Sequence, residues 1–265
     1  MLEINNLSKK FNPGTINEKI ALENLSLNVE DGEVITILGA NGSGKTTLFN
    51  AIAGVFIPDE GQILMDKENI TFKPDFERAK YIGRLFQDPL KGTAPHMTIE
   101  ENLALAYLRA GTSKQFSTIS KKDRELFYEQ LKMLDMGLED RMHTLVGTLS
   151  GGQRQALTLL MATIVPPKIL LLDEHTAALD PLAAEKVLEL TNEIIKREEM
   201  TCLMITHNIR QALMTGTRTI FMNEGRIVLD LKGDERKDIT MEEIMQRFKM
   251  GTGKELEDER LILGD

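Results

Sequence analysis

The chain has 265 residues, 42% hydrophobic and 28% charged, with a formal net charge of −9, enough to bury a sizeable core in one large domain or one domain with an inserted lobe. The acidic balance, with no long Lys/Arg run, argues against a nucleic-acid surface, and no stretch nears the roughly 18 consecutive apolar residues that cross a bilayer. The single cysteine, Cys202, excludes an internal disulfide, and its place in the apolar TCLMIT suits a packed thiol in a reducing compartment.

MLEINNLSKKF at the start carries no apolar core of signal-peptide length, so no leader is expected there. LEINNL and ALENLSLNV alternate apolar and polar residues as half-buried strands do, and Asp31-Gly32 supplies a turn. VITIL is continuously apolar, the pattern of a strand covered on both faces. The glycine-rich GANGSGKTTLFN follows and opens a helix through Ala53; Pro58 to Gly61 marks a turn, and QILMD a further strand.

From about Thr98 to Thr163 the period is helical. TIEE (Thr98 to Glu101) is a capping box, followed by Leu103, Ala106, Leu108 and Ala110, and SKKDRELFYEQLKMLDM sets Leu126, Leu131 and Leu134 on one side. From Ile169 the order returns to β, α, β, α. ILLL and TCLMIT read as buried strands, a helix over Ala183 to Arg197 carries Val187, Leu190 and Ile194 on one face, and TIFMNEGRIVLD forms a hairpin about Glu224-Gly225. After Thr240 a short capped helix precedes GKELEDERLILGD, a polar tail expected to be mobile. These elements predict an α/β fold with a parallel sheet, interrupted by a helical lobe.

Gly39, Ala40, Asn41, Gly42, Ser43, Gly44, Lys45, Thr46 and Thr47 match the GxxxxGK(S/T) spacing between a buried strand and a helix. Glycines let successive N–H groups converge into a concave nest, and the helix adds its positive end. Lys45 can reach the β- and γ-phosphates of a nucleotide, and the Thr46 hydroxyl can ligate Mg²⁺. The pattern predicts a nucleoside triphosphate site.

Ser150, Gly151, Gly152 and Gln153 start another helix, with Ser150 as a natural N-cap. Alone, this fits a plain helix start as well as a second anion cradle. Asp173 and Glu174 end the ILLL strand at the edge where α/β sheets place ligands. Asp173 suits holding Mg²⁺ through water, and Glu174 suits a base or orienting group for attacking water. His207 leaves the TCLMIT strand, where it could sense the γ-phosphate or be structural. Gln87 in LFQDP is by itself an ordinary loop glutamine, and Phe11 fits either core packing or a stacking platform for a base.

In order, GANGSGKT, Gln87, LSGGQ, ILLLDE, the ALD ending at Asp180 and His207 resemble the ATP-binding cassette (ABC) ATPases, up to about residue 230. The resemblance implies a P-loop NTPase core with a mixed, largely parallel sheet, an N-terminal antiparallel β portion and an inserted helical subdomain. The single domain would span 1–240, with the core in 1–90 and 164–240, the helical subdomain at about 91–163, and a short helix and tail in 241–265. It implies ATP and Mg²⁺ as cofactors, Phe11 on adenine, Gln87 on Mg²⁺ or water, Asp180 in a loop between subunits and His207 as a switch. Lys45, Gln87, Glu174 and His207 would form the catalytic set, with Thr46, Gln87 and Asp173 on the metal. Two chains would pair head-to-tail, each ATP lying between one phosphate loop and the partner's Ser150 helix. His175 stands where many members have proline, adding a titratable group beside Glu174.

The implied function is ATP hydrolysis powering solute transport through a separate transmembrane permease, with the cassette cytoplasmic and peripheral on the inner face of the membrane. FQDPLKGTAPHMTIEENL and DEHTAALD resemble uptake systems for small solutes such as amino acids, which work with a separate solute-binding protein. Export, lipoprotein extraction, and a soluble ATPase of iron–sulfur assembly stand as alternatives. A small-molecule kinase would leave LSGGQ unexplained.

Overall fold

The computed structural model describes residues 1–109, 119–237 and 239–252. Ala110 and the tail from 253 onward, both addressed by sequence expectations, lie outside the described residues. The chain divides into two compact units, Met1–Arg78 with the described residues from Thr201, and Ala79–Met200.

The first unit opens with β1 (Leu2–Phe11), β2 (Lys19–Val29) and β3 (Val34–Leu38), then α1 (Lys45–Ala53), β4 (Glu60–Met65), β5 (Glu68–Asn69) and the short α2 (Asp75–Arg78). β2, β1, β4 and β5 form an antiparallel sheet in that order. Its alternation is visible at Leu2, Ile4 and Leu7, all buried, between partly or fully exposed neighbours. α1 is held at its far end by Arg78, which is 1% exposed and donates to the carbonyls of Ala51 and Ile52 (both 2.8 Å) and of Lys73 and Thr71. Ala51 and Ile52 stand in the last turn of α1, where carbonyls lack the next turn's N–H groups (Ala51 also takes the Gly54 N–H at 3.2 Å), and the four carbonyls together satisfy the buried guanidinium.

The second unit contains β6 (Ile82–Leu85), α3 (Ile99–Arg109), α4 (Lys121–Lys132), α5 (Gly151–Thr163), β7 (Ile169–Asp173) and α6 (Pro181–Arg197). β6 and β7 pair in parallel, Gly83 opposite Leu170, and every residue of β7 is buried. The Thr98–Glu101 box forms as the sequence predicts, Glu101 accepting from Thr98 N at 2.7 Å and Thr98 Oγ1 from Glu101 N at 3.3 Å. On α4 the buried face is Phe127 and Leu131, continued by Leu134, while Leu126 is only half-buried. The bulkier ring takes the position expected for leucine. α6 starts two residues earlier than its apolar pattern suggests, because Asp180 caps it and Pro181 fills its first position.

The chain then completes the first unit with β8 (Cys202–Ile205), α7 (Ile209–Thr215), β9 (Arg218–Asn223), β10 (Arg226–Lys232), α8 (Gly233–Lys237) and α9 (Met241–Thr252). β3 lies between β9 and β8, parallel to both, and β10 joins β9 through the two-residue turn at Glu224 and Gly225, both at positive φ. Cys202 is fully buried, and burial pushes its thiol pKa up. α7 and α9 pack together on this sheet through Ile209, Ala212, Phe221, Ile244 and Phe248.

Candidate nucleotide site

The phosphate loop takes its shape from glycines. Gly39 has φ 151°, and a Cβ there would stand 2.3 Å from the Met222 carbonyl oxygen. Gly44 has φ 106° and would place a Cβ 2.5 Å from the Ala21 carbonyl oxygen. Gly44 is also the N-cap of α1, so this helix begins without a capping side chain. A helix start of this kind, at the end of a glycine-rich loop, suits phosphate oxygens.

Lys45 is 4% exposed, and its ammonium donates to the carbonyls of Gly39 (2.6 Å) and Ala40 (3.1 Å), so the loop closes around its own cation. Ser43 is buried and its carbonyl accepts from Gly225 N at 2.9 Å, tying the loop to the β9–β10 turn. Asn41, Gly42 and Thr46 are exposed and Thr47 half-buried. A Cβ at Gly42 would lie 3.3 Å from Lys19 Nζ, so a second ammonium stands beside the loop. Nothing in NEKIAL marks Lys19 for this; only the β2 strand brings it there.

Phe11, at the end of β1, is 38% exposed and meets Phe56 edge-to-face, centroids 5.6 Å apart. Lys9 stands 5.8 Å and 5.4 Å from the two ring centroids and is itself held by Asp59 at 2.7 Å. The ring is therefore braced yet accessible. His207 belongs to the same unit. Ile37 of β3 pairs with Ile205 of β8, so the phosphate loop and His207 leave the sheet at one edge. Thr206 Oγ1 donates to Gln211 Oε1 (2.8 Å) and Asn208 caps α7 by accepting from Gln211 N (2.9 Å), fixing the backbone on either side of the half-buried His207.

In the second unit, β7 delivers Asp173, 7% exposed. Arg84 of β6 reaches it at 3.9 Å while its guanidinium stacks over Phe86, 4.6 Å from the ring centroid. The sequence gives no hint of this pair, since an arginine three residues before Gln87 reads as solvated. Glu174 has φ 46°, a left-handed conformation that costs a non-glycine residue about 1 kcal/mol or more and recurs at functional sites. Gln87 is exposed, in the bend after β6.

His175 resolves the ambiguity about a second titrating histidine. Its Nε2 lies 3.1 Å from Thr191 Oγ1, whose own proton goes to the Val187 carbonyl at 2.7 Å, so His175 donates through Nε2. Burial lowers its pKa from 6.5 to about 4. It bonds to α6 through Thr191, and a pH–rate profile near neutrality should not report it.

Ser150 caps α5 in a reciprocal box: its Oγ accepts from Gln153 N, and Gln153 Oε1 accepts from Ser150 N, both at 3.3 Å. Gly151 is exposed, whereas a Cβ at Gly152 would come within 2.8 Å of Ala183 Cβ, so the second glycine is explained by the close approach of α6. Arg154 donates to the carbonyls of Val146 (3.3 Å), Gly147 (3.1 Å) and Leu149 (2.8 Å), clasping the turn that precedes Ser150. A cation in the first turn opposes the helix dipole, and that misfit is the one sequence signal of its use elsewhere. Asp180 accepts from Ala183 N at 3.1 Å as the α6 N-cap.

Thr46 in the first unit offers a hydroxyl, and Gln87 and Asp173 in the second offer an amide oxygen and a carboxylate, each by its chemistry a hard oxygen donor of the kind Mg²⁺ prefers.

The ABC transporter family profile matches residues 22–177. The chain belongs to that family. Over 250 residues the cassette is 43% identical to the tyrosine transport ATP-binding protein of Clostridioides difficile, covering 94% of this chain and 99% of that one. It is 35% identical to the xylose/arabinose import ATP-binding protein XylG of Sulfolobus acidocaldarius (95% and 96% covered) and to the thiamine import ATP-binding protein ThiQ of Salmonella choleraesuis (79% and 84% covered). Among solved structures, a dimeric post-hydrolysis ATP-binding cassette bound to ADP and phosphate superposes with a TM-score of 0.75 at 30% identity, over 88% of this chain and 98% of that one. The cassette is thus the ATP-binding, ATP-hydrolysing component of an ABC transporter, with the P-loop α/β fold its sequence predicts. No helix among the described residues is long and apolar enough to cross a membrane.

Proposed function

We propose that the cassette drives uptake of a small solute, an amino acid such as tyrosine foremost, through a separate transmembrane permease at the inner face of the membrane. The observation that carries this reading is the near full-length match to a tyrosine transport ATP-binding protein, supported by two import ATP-binding proteins at lower identity. A separate solute-binding protein would deliver the solute.

Two cassettes would close head-to-tail on ATP, as the dimeric neighbour suggests, each nucleotide held by one phosphate loop and by the partner's Ser150, Gly151, Gly152 and Gln153. Phe11 would stack on adenine, and Gly39, Asn41, Gly42, Ser43, Gly44, Lys45, Thr46 and Thr47 would cradle the phosphates, with Asp180 at the subunit junction. Thr46, Asp173 and Gln87 would hold Mg²⁺, which would supply neutralisation of phosphate charge. Transfer of the γ-phosphoryl group to water depends on positioning and electrostatics more than on covalent chemistry. Glu174 would orient the attacking water, while Lys45 and His207 would meet the charge that develops on the phosphoryl oxygens.

Reconstituted with its permease and binding protein in proteoliposomes, the cassette should hydrolyse ATP several-fold faster when tyrosine is outside, and labelled tyrosine should accumulate inside. ATP-driven loss of preloaded tyrosine would instead assign export. Glu174→Gln should bind ATP normally but turn over about a hundredfold slower or worse, the scale of losing a positioned acid–base group. Its ATP-bound dimer should persist on gel filtration; hydrolysis near the native rate would remove Glu174 from this role.

A further inference from the structure

The two C-terminal helices lie outside the residues assigned above, yet they are bonded into the same unit as the phosphate loop. Arg236 of α8 donates through Nη2 to the Ala212 carbonyl of α7 at 2.6 Å and through Nε to Thr219 Oγ1 of β9 at 2.9 Å. Thr219 Oγ1 is 2.8 Å from Thr36 Oγ1 of β3, and Thr36 Oγ1 is within 3.2 Å of the same Ala212 carbonyl. Thr36, Thr219 and Ala212 are all 0% exposed.

The proton directions close consistently. With Thr219 accepting from Arg236, a closed arrangement has the Thr219 hydroxyl donate to Thr36 and the Thr36 hydroxyl lie between the carbonyls of Ala212 (3.2 Å), where Arg236 also ends, and Arg218 (3.3 Å). The ring joins three elements of interest: the strand that reaches Gly39 three residues after Thr36, the helix that begins two residues after His207, and the C-terminal segment. Around it, Ile244 and Phe248 of α9 are buried with Ile209, Ala212, Leu38 and Phe221.

α7 has only seven residues, Ile209–Thr215, and a helix that short does not hold itself. Its first turn is fixed by Asn208 and Gln211, next to His207; the Ala212 carbonyl at its middle, which also takes the closing Gly216 N–H at 3.4 Å, is gripped by the ring. We infer that Arg236 is a positioning residue for hydrolysis, setting α7 and thereby His207 relative to the phosphate-loop strand through the Arg236–Thr219–Thr36–Ala212 ring. The C-terminal helices are then a lever on turnover that never touches the nucleotide: whatever displaces α8 loosens the histidine's support. This rests on the reading of His207 as a group that meets the γ-phosphate.

A double-mutant cycle in the full-length chain tests it. Arg236→Met should lower kcat for ATP at least fivefold with KM within twofold, and should add less than twofold in a His207→Ala background. Arg236→Lys, which keeps one donor to Ala212, should fall between. Amide exchange across Ile209–Thr215 should quicken at least tenfold in Arg236→Met, while the β1–β2 sheet exchanges as before. Native kcat in Arg236→Met, or full additivity with His207→Ala, overturns the inference. If His207→Ala itself turns over at the native rate, the reading of His207 fails instead, and Arg236 is judged on exchange alone: unaltered exchange across α7 then overturns its role.

Discussion

Residues 39–47 keep their shape through backbone conformations that glycine adopts readily, whereas residues 149–154 keep theirs through side chains bonded back to the main chain. In the phosphate loop there is no room for a Cβ at Gly39 or Gly44, and the loop's cation is held by its own carbonyls. At the start of α5 one glycine is exposed, and the geometry comes from the Ser150–Gln153 box and the grip of Arg154. Substitution should therefore be nearly all-or-none at Gly39 and Gly44 and graded at Ser150, Gly151 and Gln153.

Gly39→Ala is the sharpest way to break that contrast. A Cβ 2.3 Å from the Met222 carbonyl cannot be relieved by rotating a side chain, so the loop must move. With strain of order 3 kcal/mol directed at the cradle, ATP affinity should fall about a hundredfold in a fluorescence titration. Native affinity would mean that the loop is plastic.

His175→Gln probes the second unit through pH. The folded-state pKa of about 4 lies below the unfolded 6.5, so neutral His175 contributes stability above pH 6.5 that is lost as pH falls toward 4. Between about pH 7.5 and pH 5 the loss should be about 2 kcal/mol in urea unfolding, and His175→Gln should flatten that part of the curve. An unchanged slope would mean that His175 titrates normally. The smallest effect belongs to Ser150→Ala, which removes one cap acceptor: stability should drop by about 1 kcal/mol, with ATP affinity of the isolated chain unaltered. A drop as large as that of Gly39→Ala would erase the contrast.

The same difference explains what the sequence reveals. Glycine spacing, the run of buried strand residues before Asp173, the Thr98–Glu101 box and the Ser150 N-cap are local patterns, and each forms where its residues predict. What stays hidden is long charged side chains recruited across the fold. Arg78 closes α1 from more than twenty residues away, Arg84 meets Asp173, Arg154 clasps a turn, and Lys19 arrives beside Gly42. Apart from Arg154, whose place in a helix's first turn is a misfit, each looks in sequence like a solvated surface cation, because its partners are backbone carbonyls or residues brought close only by the fold. Phe127 replacing Leu126 on the buried face of α4 is a smaller instance: at helical spacing two neighbouring apolar residues compete, and packing decides.

Cys202 has a practical corollary. The one sulfhydryl in the chain is sealed within β8 and held in its unreactive protonated form. Native protein should be silent to maleimides, so Ile16→Cys or Glu129→Cys, both at exposed positions outside the assigned site, would give a single attachment point for a fluorophore or a spin label without first deleting anything. Opening and closing of the paired cassettes could then be followed by distance in otherwise unaltered protein.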